Sequence, residues 1–158
     1  MADACWVTYR TGVAPRTGLS ARIELEVTEA DTAETFRSGS VPVLATPRLV
    51  ALCEEASCKA IDGELPPTCT SVAKRLQFDH LVPVGVGRTV WAEATLDRIE
   101  GRRLVFTLSV SESSGLVAAG KLIRVIVDRD APFLVVVLDV ERIIGGAPGA
   151  AGFHRVGY

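Results

Sequence analysis

A glutamate stands inside an otherwise apolar segment. Val43 to Ala60 reads Val-Leu-Ala-Thr-Pro-Arg-Leu-Val-Ala-Leu-Cys-Glu-Glu-Ala-Ser-Cys-Lys-Ala, with Glu54 near its middle. Taking a carboxylate out of water is costly unless it is paired or put to use. Thr46 sets a hydroxyl at the mouth of the same segment, and His80 lies just downstream on the next strand-like run. A carboxylate and an imidazole are the residue types of proton transfer, and a carboxylate can also attack a carbonyl directly. Each residue has a structural reading as well: Thr46 as a helix N-cap, Glu54 as a stem reaching solvent, His80 as a strand-end surface residue.

The elements that must position them follow from periodicity. Thr46 suits an N-cap and Pro47 the first helical position, which predicts a helix that ends at Asp62-Gly63. At about 100° per residue, Leu49, Leu52, Cys53, Ala56 and Ala60 share one face. Arg48, Glu55 and Lys59 share another, with Glu55 and Lys59 spaced as a surface ion pair. Glu54 falls on a flank with Val50, Ser57, Cys58 and Ile61, so Glu55 is expected wet and Glu54 partly buried. Upstream, Ser20 to Val27 alternates as a strand with one wet face. Thr28 to Glu34 opens like a capping box and predicts a short helical turn, and Arg37 to Pro42 reads as a loop. Downstream, strands are expected over Cys69–Phe78, Thr89–Ile99, Leu104–Ser111 and Leu116–Asp128. Residues 1–17 show no clear period and read as a loose arm. Phe133–Ile144 could form a further strand, and Gly145–Gly152 is a Gly/Ala/Pro stretch.

The order is therefore strand, buried helix, and an antiparallel meander of four strands. A sheet with one apolar face must cover it, and one apolar helix wrapped by a curved sheet of about five strands is the economical α+β solution, the hot-dog fold. One helix covers such a sheet incompletely and leaves its edges open, so a homodimer is expected, with a dimer of dimers left open. The domain spans 18–128, between an N-terminal arm (1–17) and a C-terminal extension (129–158).

Composition narrows the function classes. The chain has 158 residues, 48% hydrophobic, a net charge of −2 and a mean hydropathy of +0.30. That is apolar for a soluble monomer and fits surface buried against a partner subunit. Charges of both signs are scattered, with no basic stripe for nucleic acid and no basic amphipathic helix for a membrane surface. The apolar run Phe133–Leu138 is too short to span a bilayer, and the first residues lack the basic and apolar regions of a secretory signal. A cytoplasmic protein with reduced cysteines is the expectation; Cys53 and Cys58 lie too far around one helix to bridge. Two histidines and scattered cysteines give no metal-ligand spacing, and no GxSxG motif marks a serine hydrolase.

The motifs together resemble the hot-dog thioesterases related to fluoroacetyl-CoA thioesterase. That pattern has an Ala-Thr pair entering the helix and a Glu eight residues after the Thr, as in Ala45-Thr46 and Glu54. It has a His ahead of a Pro/Gly-containing segment and a long strand, as in His80-Leu-Val-Pro-Val-Gly-Val-Gly-Arg-Thr-Val, and a hairpin like Ile99-Glu-Gly-Arg-Arg-Leu104. The resemblance covers about Gly18 to Asp128. It implies a catalytic Thr46/Glu54/His80 triad at a dimer interface, hydrolysis of a short or medium acyl-CoA, and no cofactor beyond the CoA of the substrate. Arg124 is the candidate substrate-binding residue. The segment after His80, Val82-Pro83-Val84-Gly85, lacks the hydroxyl common in the family. The last strand, Gly120-Lys-Leu-Ile-Arg124, keeps only the Gly and the Arg of its pattern. Arg37 and Ser40 stand about where the fluoroacetyl enzyme carries its aromatic lid, so fluoroacetyl specificity is not implied. The alternative reading is a non-catalytic hot-dog module that binds acyl-CoA or a related ligand.

Overall fold

Alternating side chains build the sheet. The computed structural model describes residues 4–12 and 14–130. In β1 (Ser20–Glu26), Ala21, Ile23 and Leu25 turn inward while Arg22, Glu24 and Glu26 face water. β3 (Thr89–Glu100) buries Val90, Ala92, Ala94 and Leu96, and β4 (Arg103–Glu112) buries Leu104, Phe106, Leu108 and Val110, as their alternation predicts. Gly101, with φ of 62°, turns the β3–β4 hairpin, a conformation that glycine adopts at little cost. β5 (Gly115–Asp128) completes a β3-β4-β5 meander.

The first strand of the expected meander departs from expectation. β2 (Cys69–His80) does not pair with β3; the order is β1-β3-β4-β5-β2, all antiparallel. Residues 81–88 carry the chain across so that β3 joins β1 and β2 becomes an edge. The residues of β2 suit that place. Lys74, Arg75, Gln77 and Asp79 are exposed, and a register shift falls between Ala73 and Arg75, both features of edge strands. Its inward residues Leu76 and Phe78 are only half-buried.

The central helix, α2 (Thr46–Ala60), lies chiefly across β1 and β3. Leu49, Leu52, Cys53, Ala56 and Ala60 are its buried face, as expected. The α+β hot-dog architecture is thus observed, with one long helix against a five-stranded open sheet. Among the described residues no helix is long and apolar enough to cross a membrane. The candidate strand Phe133–Ile144 lies outside the described residues.

The stretch read as a loose arm holds a helix, α1 (Ala4–Thr11), which packs on β5 and the start of β2. It buries Cys5 and Tyr9, one turn apart, and its Trp6 stacks on Tyr9 and lies 4.5 Å beneath the Arg102 guanidinium. Eight residues give too few turns for a periodic signal. The helix is also held from far away in sequence: Cys5 and Cys69 form a disulfide, with Cα atoms 5.2 Å apart. This corrects the expectation of four reduced cysteines. A separation of 64 residues hides the pairing from any local reading. Cys53 and Cys58 are unpaired, as expected.

A bridge closing so long a loop is expected to stabilise the fold by about 2–4 kcal/mol. The Cys5→Ser/Cys69→Ser variant should therefore unfold at lower denaturant than the parent. Alkylation of the denatured, unreduced protein should label only Cys53 and Cys58. Labelling of all four would show that the bond is absent.

Candidate active site

Asp31 builds the entrance to α2. Its carboxylate accepts hydrogen bonds from the Thr28 N–H and hydroxyl, both at 2.8 Å, closing the short helical turn Glu29–Asp31. Its other oxygen takes the Arg48 Nε–H at 2.8 Å. Burial pushes the Asp31 carboxyl up, but the Thr28 and Arg48 hydrogen bonds and the Arg48 charge hold it below its ordinary value. Arg48 is therefore a brace for the helix mouth and not part of a wet face with Glu55 and Lys59. Its partner lies 17 residues upstream, beyond any helical spacing. The Ala45 N–H donates to the Asp31 carbonyl, Leu44 N–H to the Val84 carbonyl, and Val43 bridges Gly85. The approach to α2 is thus stitched on both sides.

Thr46 is not the N-cap. Ala45 holds that position with extended backbone, and Thr46 is the first helical residue. Its hydroxyl is therefore released from capping and meets the His80 imidazole, with Oγ1 2.9 Å from Nδ1. His80 is the last residue of β2, so a helix start and a strand end place this pair. The His80 Nε2 is buried and has no partner among the described residues. Burial lowers the His80 pKa, partly offset by a hydrogen bond to the Val82 backbone.

The sign of the resulting pH dependence follows. Since the folded pKa lies below the ordinary 6.5, the unfolded chain takes up the proton first as pH falls. The stability from neutral His80 is complete above pH 6.5 and is lost as pH drops through the folded value. The denaturation midpoint of the parent should fall relative to His80→Gln over that window. Parallel midpoints at every pH would show that His80 is not the group responsible.

Thr46 and His80 open onto a pocket of about 340 Å³. Ala33, Ser38, Gly39 and Val41 line it from the loop before the helix, with Val43, Leu44 and Pro83. The first turn of α2 adds the N–H groups of Thr46 and Arg48 at the positive end of a helix dipole, a setting for a developing oxyanion.

Glu54 is half-buried and Glu55 exposed, as the periodicity predicts. Glu54 is not among the pocket residues, and its carboxylate makes no hydrogen bond or ion pair among the described residues. Eight helical residues separate it from Thr46, a rise of about 12 Å. One chain therefore brings Thr46 to His80 and leaves Glu54 apart. Glu54 does act locally: burial first, then its charge, push the buried Cys53 thiol up to about 12, so that thiol is inert.

Arg124 is also apart. It lies on β5 opposite Ala73, whereas His80 is opposite Ala118, about 20 Å away along the strand. Its guanidinium is buried and donates to Ser71 Oγ and the Ser71 carbonyl, both at 2.9 Å, and to Ser57 Oγ at 3.3 Å. It ties β5 and β2 to the far end of α2. Ser57 in turn donates to the Glu54 carbonyl, so it is buried for a reason that helix periodicity alone does not supply.

Known proteins share this fold. Residues 27–130 match the family model of FlK, the fluoroacetyl-CoA-specific thioesterase. No curated protein sequence matches the chain. Among solved structures, a variant of FlK in complex with fluoroacetate and CoA is 25% identical over 73% of this chain and 98% of its own, with a TM-score of 0.68. A hot-dog-like protein from Thermanaerovibrio acidaminovorans is 28% identical over 85% and 96%, with a TM-score of 0.69. A thioesterase superfamily member from Thermus thermophilus is 25% identical over 83% and 97%, also at 0.69. With well over half its length in the match, the chain belongs to the fluoroacetyl-CoA-specific thioesterase family.

Proposed function

We propose that this protein hydrolyses acyl-CoA thioesters at a site made by two copies of the chain, with Thr46 and His80 from one and Glu54 from the other. The Thr46–His80 contact at the pocket carries the reading. The helical rise that keeps Glu54 from Thr46 within one chain supports its supply in trans. So does the half-covered β2 edge, with Leu76 and Phe78 left for a partner to bury.

A thioester is already activated toward acyl transfer. Glu54 acts as base for water, or attacks the carbonyl itself to give an anhydride that water then opens. The tetrahedral oxyanion is met by the first-turn N–H groups of α2. CoA leaves as thiolate and takes up a proton, for which the Thr46–His80 pair is the route. The products are a carboxylate and CoA thiol, and no cofactor enters the balance.

Release of CoA thiol from a panel of acyl-CoAs tests this. The parent should turn over, and His80→Ala and Glu54→Gln should each lose about 10²–10⁴-fold while keeping their fold. Turnover no greater than that of the doubly substituted protein would sink the reading. The second reading, a module that binds acyl-CoA without hydrolysis, draws on the missing hydroxyl in Val82-Pro83-Val84-Gly85. Binding unchanged by Glu54→Gln, with no turnover by the parent, would select it.

A further inference from the structure

The pocket beside Thr46 and His80 is larger than a two-carbon acyl group needs, and among the described residues of its own chain no charged side chain lines it. Its polar groups are Thr46, His80 and Ser38, and its other walls are aliphatic or bare. A carboxylate on the acyl group would enter without a partner, a costly transfer. A two-carbon acyl group would leave most of the apolar wall wet. The segments that bound the pocket carry exposed apolar side chains too: Phe36 and Val41 before the helix, Leu81 and Val82 after His80. Apolar side chains left in water around a concave site mark a surface that an apolar ligand covers.

We infer that the pocket takes an uncharged aliphatic acyl chain longer than acetyl, and that Gly39 is a residue that sets its length. At about 30 Å³ per water-sized group, about 340 Å³ exceeds what a two-carbon acyl group fills. Gly39 lies against Ala33: a Cβ at position 39 would sit 3.2 Å from the Ala33 Cβ. Two of the smallest residues thus meet at the pocket wall, and a larger side chain at position 39 crowds that wall. Gly39 has no positive φ that would itself forbid a side chain. This inference rests on the proposed acyl-CoA site for its location, but its chemistry can be measured without turnover.

Calorimetric titration of the parent protein with the non-hydrolysable thioethers S-ethyl-, S-hexyl- and S-carboxyethyl-CoA provides the test. Each buried methylene adds up to about fourfold in affinity, so S-hexyl-CoA should bind at least about tenfold more tightly than S-ethyl-CoA, and S-carboxyethyl-CoA the most weakly. Gly39→Leu should bring S-hexyl-CoA down to the level of S-ethyl-CoA. Val41→Asn, at an exposed position, should narrow the same gap and serves if Gly39→Leu does not fold. Equal binding of the ethyl and hexyl ligands, tightest binding of the carboxyethyl ligand, or a hexyl preference untouched by both substitutions would overturn the inference. Tight S-hexyl-CoA binding without hydrolysis of hexanoyl-CoA would sink the hydrolase reading alone. Hydrolysis that favours acetyl-CoA would sink the chain-length inference alone.

Discussion

Mixing Glu54→Gln protein with His80→Ala protein is expected to restore about a quarter of the parental activity, although each variant alone is nearly inactive. Random reassociation makes half of the dimers mixed. In a mixed dimer, one site joins the Thr46–His80 pair of the first chain to the intact Glu54 of the second, and the other site carries both lesions. If Glu54 served its own chain, every site in the mixture would carry one lesion and nothing would return. The effect is large because proton transfer by a positioned side chain contributes about 10²–10⁴-fold. The measurement is thiol release after co-refolding or subunit exchange, with analytical ultracentrifugation to verify mixed dimers. It follows from one length: eight residues of helix between Thr46 and Glu54 place them about 12 Å apart, beyond side-chain contact.

Gly120→Ala is expected to destabilise the protein by about 3 kcal/mol or more and to lower its melting temperature by about 10 °C. Gly120 lies on β5 opposite Phe78 of β2. A Cβ there would overlap the Gln77 carbonyl oxygen and sit 3.1 Å from the Phe78 Cα. Those atoms are backbone, so relief requires β2 to move away from β5. His80 ends that strand two residues later, and its contact with Thr46 depends on where β2 runs. Activity should therefore fall even at temperatures where Gly120→Ala stays folded. A variant with parental melting temperature and turnover would show that the strands give way at no cost.

Much of the frame was legible. Helix α2 and its buried face, the fates of Glu54 and Glu55, and the inward residues of β3 and β4 all follow from periods that local sterics impose. The resemblance singled out Thr46 and His80, and the structure joins them. Three features were not legible. The role of Arg48 depends on Asp31 across a loop, the position of β2 on a crossover, and the Cys5–Cys69 bridge on a contact 64 residues apart. The partners of Arg124 were hidden for the same reason. Its place on the strand was evident, but Ser57 and Ser71 reach it only in the folded chain.

The sequence by itself determined which faces are apolar, that the central helix and the strands exist and roughly where they lie, and that a carboxylate lies on the flank of the central helix. These depend on residues within a few positions of one another. Only the tertiary structure decided that Thr46 bonds to His80 instead of capping its helix, and that Arg124 is a tie within the core. Such contacts join residues tens of positions apart, and their geometry depends on strand order and on register, neither of which a local pattern encodes.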